Sequence, residues 1–212
     1  MPRAEPAEIV IPTIGLRTRV DKVTRATDGS VSLPADPDHA GCYTGSVTPG
    51  ENGNAITVGH VDSHSGPAAF YDLGALRKGS RIIVTRHDGS TAHFNVTGLD
   101  VWAKDAFPSE RVYGLTTTPV LTLITCTGWD STHQTYRSNL VVTADSRRHR
   151  RSEAGLSPRP HERRLDTPSA ALRLFSTPEP EKSGDCSCPQ LVSVSCRWSG
   201  PWLREWQQGI PR

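Results

Sequence analysis

Three side chains in this sequence are of the types that make and steer a nucleophile: Cys126, His60 and Arg137. A cysteine with a histidine distant in sequence is the minimal set for an activated thiolate, because the imidazole takes the thiol proton and the thiolate is the attacking species. An arginine close to the sulfur adds a fixed positive charge that stabilises the negative charge developing on an attacked carbonyl oxygen. Each residue also has an ordinary reading. A lone cysteine is most often a small buried hydrophobe, a lone histidine closes a strand, and a lone arginine is a solvated charge. All three, however, sit at the ends of apolar runs, where loops present functional side chains.

Residues 121–126, LTLITC, alternate as a strand, with Leu121, Leu123 and Thr125 on one face and Thr122, Ile124 and Cys126 on the other. Cys126 is expected to end this strand where TGWD at 127–130 turns the chain away, leaving the thiol at a strand mouth for reaction rather than for core packing. Arg137 opens the apolar run 139–143, the expected antiparallel neighbour, which would bring the guanidinium close to the sulfur. His60 closes a third apolar run, AITVG at 55–59.

The segments TLITC at 122–126, GHVDS at 59–63 and YRSN at 136–139 resemble the sortases, cysteine transpeptidases of bacterial cell surfaces. GPAAFYDLGALRKG at 66–79 and KDAFPSERVYG at 104–114 look most like the actinobacterial class F (or class E) branch, and the resemblance runs over about residues 9–144. It implies that the Cys126 thiolate attacks the Thr–Gly carbonyl of an LPxTG-like sorting-signal peptide while His60 protonates the leaving amine. An amine acceptor from a cell-wall precursor or another protein, deprotonated by His60, then resolves the thioester. Arg137 is expected to hold the carbonyl oxygen or the substrate backbone, and Thr125, Asp62, Tyr136 and Asn139 to contact substrate or support the three. The segment 104–114 is expected along one wall of the substrate groove. No cofactor and no metal are implied. The family usually carries a tryptophan where Cys42 stands, a difference expected to cost packing rather than chemistry. The implied location is the extracytoplasmic face of the cell membrane, reached through an anchor missing from this chain. The alternative is a catalytically decayed barrel serving as a binding module.

The remaining sequence fits an all-β domain. Short alternating runs are joined by turn residues, among them Asp28-Gly29-Ser30 and Asp88-Gly89, and helical spacing is confined to residues 67–76, where Phe70, Leu73 and Leu76 share a face, and to 104–114. The expectation is a closed β-barrel of about eight strands with short helices in the connections. Residues 34–49, rich in Pro, Asp and Gly, and the stretch holding Asp62 and His64 read as loops. Residues 1–8 read as residual linker, 9–145 as the catalytic domain and 146–212 as a low-complexity tail, expected to be disordered.

A formal net charge of +2 over 212 residues argues against nucleic acid as a partner. Five cysteines, two of them far from Cys186, Cys188 and Cys196, do not read as a disulfide framework. Metal sites at His60, Asp62 and His64, or at the three tail cysteines, are the weaker readings, being cramped in one case and short of a ligand in the other. The basic run around Arg147, Arg148, Arg150 and Arg151 reads first as a solvated segment and second as a phosphate or membrane-surface contact.

Overall fold

A computed structural model describes residues 1–146; the expected tail, with its basic run and three cysteines, lies outside them. The described residues form a closed barrel of eight strands. In chain order the first strands are β1 (Pro6–Ile11), β2 (Leu16–Val23), β3 (Ala40–Tyr43) and β4 (Gly53–Gly59), followed by a small hairpin of β5 (Asp62–Ser63) and β6 (Gly66–Pro67). Next come β7 (Arg81–Arg86), β8 (Thr91–Ala103), a five-residue helix α1 (Ser109–Tyr113), β9 (Pro119–Asp130) and β10 (Thr135–Ser146). Round the barrel the order is β1-β2-β3-β4-β9-β10-β8-β7, closed by β7 on β1. Two neighbouring pairs are parallel, β2 with β3 and β4 with β9, and the rest are antiparallel.

Alternation sorts the side chains into two clusters. Leu121, Leu123, Val142, Ala144, Ile82, Val84 and Phe94 point inward and fill the barrel with Ile9, Ile11 and Ala55. Ile124, Cys126, Val141, Ile56 and Val58 point outward and are covered by Val112 of α1, by Val31 of the segment after β2, and by partly buried Trp102, Phe107 and Tyr113. A closed sheet has no edge strand to protect, but its outer face needs this second layer wherever it is apolar. Asn54 on β4 ties that layer down, donating from Nδ2 to the Val112 carbonyl at 2.8 Å and accepting from Thr122 Oγ1 at 2.8 Å.

Several boundaries differ from expectation. β1 begins at Pro6, within the stretch 1–8 read as residual linker, and Arg86, almost wholly buried, donates to the carbonyls of Ala4 and Pro2 ahead of it. Residues 34–49 are not all loop, because Ala40–Tyr43 pairs with both β2 and β4; three glycine, alanine and cysteine side chains there carry too little apolar bulk to show as a strand. The loop around Asp62 closes as the β5–β6 hairpin. The helical spacing of residues 67–76 produces only a 3-10 turn at Tyr71–Ala75, although Phe70, Leu73 and Leu76 are buried as that spacing requires.

Candidate functional site

The site is assembled by three adjacent strands, β4, β9 and β10. The parallel register of β4 on β9 pairs Val58 with Ile124, and two further residues along both chains set His60, just past the end of β4, beside Cys126. Thr125 pins this register by donating from Oγ1 to the Gly59 carbonyl at 2.9 Å. On the other flank Asn139 is the direct antiparallel partner of Cys126. Side chains directly opposite share a face, so Cys126 and Asn139 stand side by side on the outward face, continuous with the apolar layer over β9.

Cys126 does not end its strand. β9 continues through Asp130, because β10 starts at Thr135 and pairs with Thr127, Trp129 and Asp130 as well. The glycine at 128 reads as a turn residue, and its φ of 70° is left-handed, yet here it is accommodated within a long hairpin arm. Nor is the sulfur presented at an open mouth: Cys126 is fully buried and packs in the outer cluster. Cys42 is a free, buried thiol.

The contacts of Cys126 and His60 are specific. Asn139 Nδ2 stands 3.8 Å from the Cys126 sulfur and 3.5 Å from the Thr125 carbonyl, from a fully buried side chain. His60 is only partly buried, and its Nε2 is 2.9 Å from the Pro34 carbonyl. A carbonyl can only accept, so Nε2 carries a proton and Nδ1 is the nitrogen left to exchange one. The His60 carbonyl receives Phe70 N–H at 2.9 Å, and a Cβ on Gly59 would lie 2.6 Å from the Phe70 ring, so the glycine lets that ring pack directly under the histidine.

Arg137 lies opposite Gly128, between the Tyr136–Trp129 and Ser138–Thr127 pairs, on the face that carries Cys126 and Asn139. Its Nε is 2.5 Å from Asp130 Oδ2, and the guanidinium is largely exposed. The same carboxylate oxygen lies 2.8 Å from His133 Nδ1. That contact, with the turn N–H groups of His133 and Thr132 and the charge of Arg137, holds the Asp130 carboxyl down to about 2.

Tyr136 and Asp62 meet on the opposite face of the arm, where the tyrosine hydroxyl donates to the Asp62 carboxylate. Trp129 packs edge-on against Tyr136, with ring centroids 5.0 Å apart. Burial first, then the facing carboxylate, pushes the tyrosine hydroxyl above its ordinary range. Of the residues expected from sequence, Cys126 and Asn139 face each other across β9 and β10, His60 lies just past the end of β4, and the Thr125 side chain is on the other face of β9, bonded to the Gly59 carbonyl. Arg137 stands one diagonal step from Cys126, and Tyr136 and Asp62 brace the arm. Asp130 and His133 were missed as partners of Arg137. Their signal in the sequence is an aspartate opening DSTHQ, where it caps its own turn, but that pattern reads as turn chemistry alone.

Cys42, the weak candidate for a second nucleophile, faces Thr57 across β3 and β4, and burial pushes its thiol up to about 12. A concavity beside it is lined by Glu5, Lys22, Thr48 and His87 among others and does not include Cys126. No group of His, Cys, Asp and Glu suited to a metal occurs among the described residues, and no helix there is long and apolar enough to cross a membrane.

A family model described as the sortase domain matches residues 9–147. Sortase A from Corynebacterium diphtheriae is 23% identical, with a TM-score of 0.53 over 74% of this chain and 64% of that one. Sortase C-1 from Actinomyces oris is 22% identical, with a TM-score of 0.52 over 66% of this chain and 72% of its own. A Clostridium perfringens sortase D5 transpeptidase is 20% identical, with a TM-score of 0.51 over 67% of this chain and 78% of its own. At these identities the solved structures speak for the fold. No curated protein sequence matches the chain.

Proposed function

Because the chain belongs to the sortase family, we propose that it is a cysteine transpeptidase of the class F or class E branch that cleaves an LPxTG-like sorting signal between Thr and Gly and passes the acyl group to a cell-surface amine. The observation that supports this reading is the pairing of Cys126 with Asn139, together with the Thr125 hydroxyl on the Gly59 carbonyl, which ties the strand of Cys126 to the residue before His60.

In the reduced protein, His60 takes the Cys126 proton at Nδ1 while Nε2 stays on the Pro34 carbonyl. The sulfur adds to the Thr–Gly carbonyl and Asn139 supports the charge on it. Arg137, held at Asp130 and diagonal to Cys126 across the side-chain-less Gly128, stabilises the oxygen of the tetrahedral intermediate. Collapse breaks the C–N bond, and the proton on His60 goes to the leaving amine. The acceptor amine then gives its proton to His60, attacks the thioester and releases the thiol. Cell-wall precursor or protein amines are the proposed acceptors, and the outer face of the membrane the proposed place of work.

The sulfur is buried, and a thiol nucleophile must stay reduced, so the protein is kept under reductant for the test. Reduced protein is incubated with an LPxTG-like peptide and its intact mass is measured. An adduct equal to the acyl fragment, mapped to Cys126 and lost on adding a glycine-based amine, is the expected result. Folded, reduced protein that binds the peptide without any adduct would instead describe a binding module.

A further inference from the structure

Arg137 is placed opposite Gly128, so Cys126 and Asp130, each two residues from that glycine on β9, are its two diagonal neighbours. Asp130 is the one it touches, at 2.5 Å through Nε. The carboxylate is itself rigidly set. Oδ1 accepts the backbone N–H groups of Thr132 at 2.9 Å and His133 at 3.3 Å, and Oδ2 faces His133 Nδ1 at 2.8 Å. Its side chain is 13% exposed, whereas those of Arg137 and His133 are 66% and 64% exposed. Thus the aspartate is the member anchored by the turn, and the exposed side chains of Arg137 and His133 gather on it. A long exposed arginine with no such anchor samples many rotamers, and only some of them reach along the face of the sheet.

We propose that Asp130 is a positioning residue for Arg137: anchored by its own turn, it grips the guanidinium at Nε and keeps it on the face of Cys126, leaving the far edge of the fork for a carbonyl oxygen. His133 shares the carboxylate and limits how far the guanidinium can swing toward the turn, its Nδ1 lying 3.4 Å from Arg137 Nη2. Asp130 touches no reacting atom in this scheme and acts only through Arg137. The inference rests on the proposed role of Arg137 in the reaction.

The test is a double-mutant cycle with an LPxTG-like peptide on reduced protein, using Asp130→Asn, Arg137→Ala and the pair. Asparagine keeps an oxygen for the turn N–H groups, so the hairpin is retained, and melting temperatures verify this. The expected result is a fall in kcat of about tenfold for Asp130→Asn with KM little changed, and no further loss when it is added to Arg137→Ala. The advantage of the parent over Asp130→Asn should also shrink as ionic strength rises from about 0.05 M to about 0.5 M, since the pair is exposed to screening. Turnover of Asp130→Asn at or above the parent rate would overturn the proposal, the faster variant meaning that the carboxylate parks the arginine away from the reaction. Losses that multiply in the double variant would overturn it as well, because they assign Asp130 to the turn alone. If Arg137→Ala itself turns over like the parent, the reading of Arg137 has failed and this inference with it. If Arg137→Ala is slow and Asp130→Asn is not, only the present inference fails.

Discussion

Thr125 donates its side-chain hydroxyl to the Gly59 carbonyl at 2.9 Å, joining the residue before the cysteine to the residue before the histidine. Both ends are buried, so the bond is shielded from water and locks the parallel register of β4 on β9 at the point where chemistry is proposed. A shift of that register would move His60 along Cys126 and misalign the proton transfer.

Thr125→Val keeps the shape and removes the donor. The expected loss is about 1–3 kcal/mol, a fall in melting temperature of about 2–8 °C. A drop in kcat of about tenfold or more should accompany it, because a catalytic group displaced by a fraction of an ångström loses far more rate than binding. Thr125→Ser, which keeps the hydroxyl, should recover most of both. Calorimetry with steady-state kinetics decides it, and equal behaviour of the valine and serine variants would remove the lock.

Gly59 tests the same junction from below. A methyl group there would sit 2.6 Å from the fully buried Phe70 ring, which cannot retreat within a packed core. Gly59→Ala should therefore cost about 1–3 kcal/mol by overpacking. Phe70→Leu in the same protein should return part of that stability, since a narrower side chain leaves room for the methyl group. Two unfolding curves that simply add, with no compensation, would show that the clash is relieved elsewhere.

The fold was legible because alternation is strong where both faces of the sheet are covered. LTLITC sorts Leu121 and Leu123 into the barrel and Ile124 and Cys126 outside it, as the structure has them. The end of that strand was not legible. Gly128 and Asp130 are turn residues by type, and only pairing with β10, a tertiary effect, keeps them extended. The pairing of β9 with β10 beside Cys126 could be anticipated, because the apolar run 139–143 follows it closely in the chain. The Asp130 contact could not, since an aspartate that caps its own turn carries no sign of the arginine it also holds.

The two described cysteines should differ in reactivity. A thiol alkylating reagent at pH 8 should label Cys126, the proposed nucleophile, and leave Cys42 unlabelled, because burial raises the Cys42 thiol from 9.0 to about 12. The sign for Cys42 follows from linkage. The folded state holds this proton more tightly than the unfolded chain, so its contribution to stability is full below pH 9.0 and is lost as pH rises toward about 12. Peptide mapping of the alkylated protein checks the labelling, and Cys42 labelled as fast as Cys126 would contradict it.

Arg137 carries the sharpest kinetic expectation. If its guanidinium meets charge that develops only on the carbonyl oxygen, Arg137→Ala should lower kcat by about 10²-fold or more, the scale of losing one oxyanion donor. Arg137→Lys should recover only part of that, because the ammonium keeps the charge but not the planar fork, and cannot reproduce the Nε contact with Asp130. A residue that bound the peptide equally in ground and transition states would show a higher KM with turnover intact. Both variants are measured after reduction, with circular dichroism to verify the barrel. Because the side chain is largely exposed, neither change should unfold the protein, so a loss of rate is read directly as a loss of transition-state stabilisation. Turnover of Arg137→Ala within about twofold of the parent would take the arginine out of the reaction, since an oxyanion donor is worth far more than that.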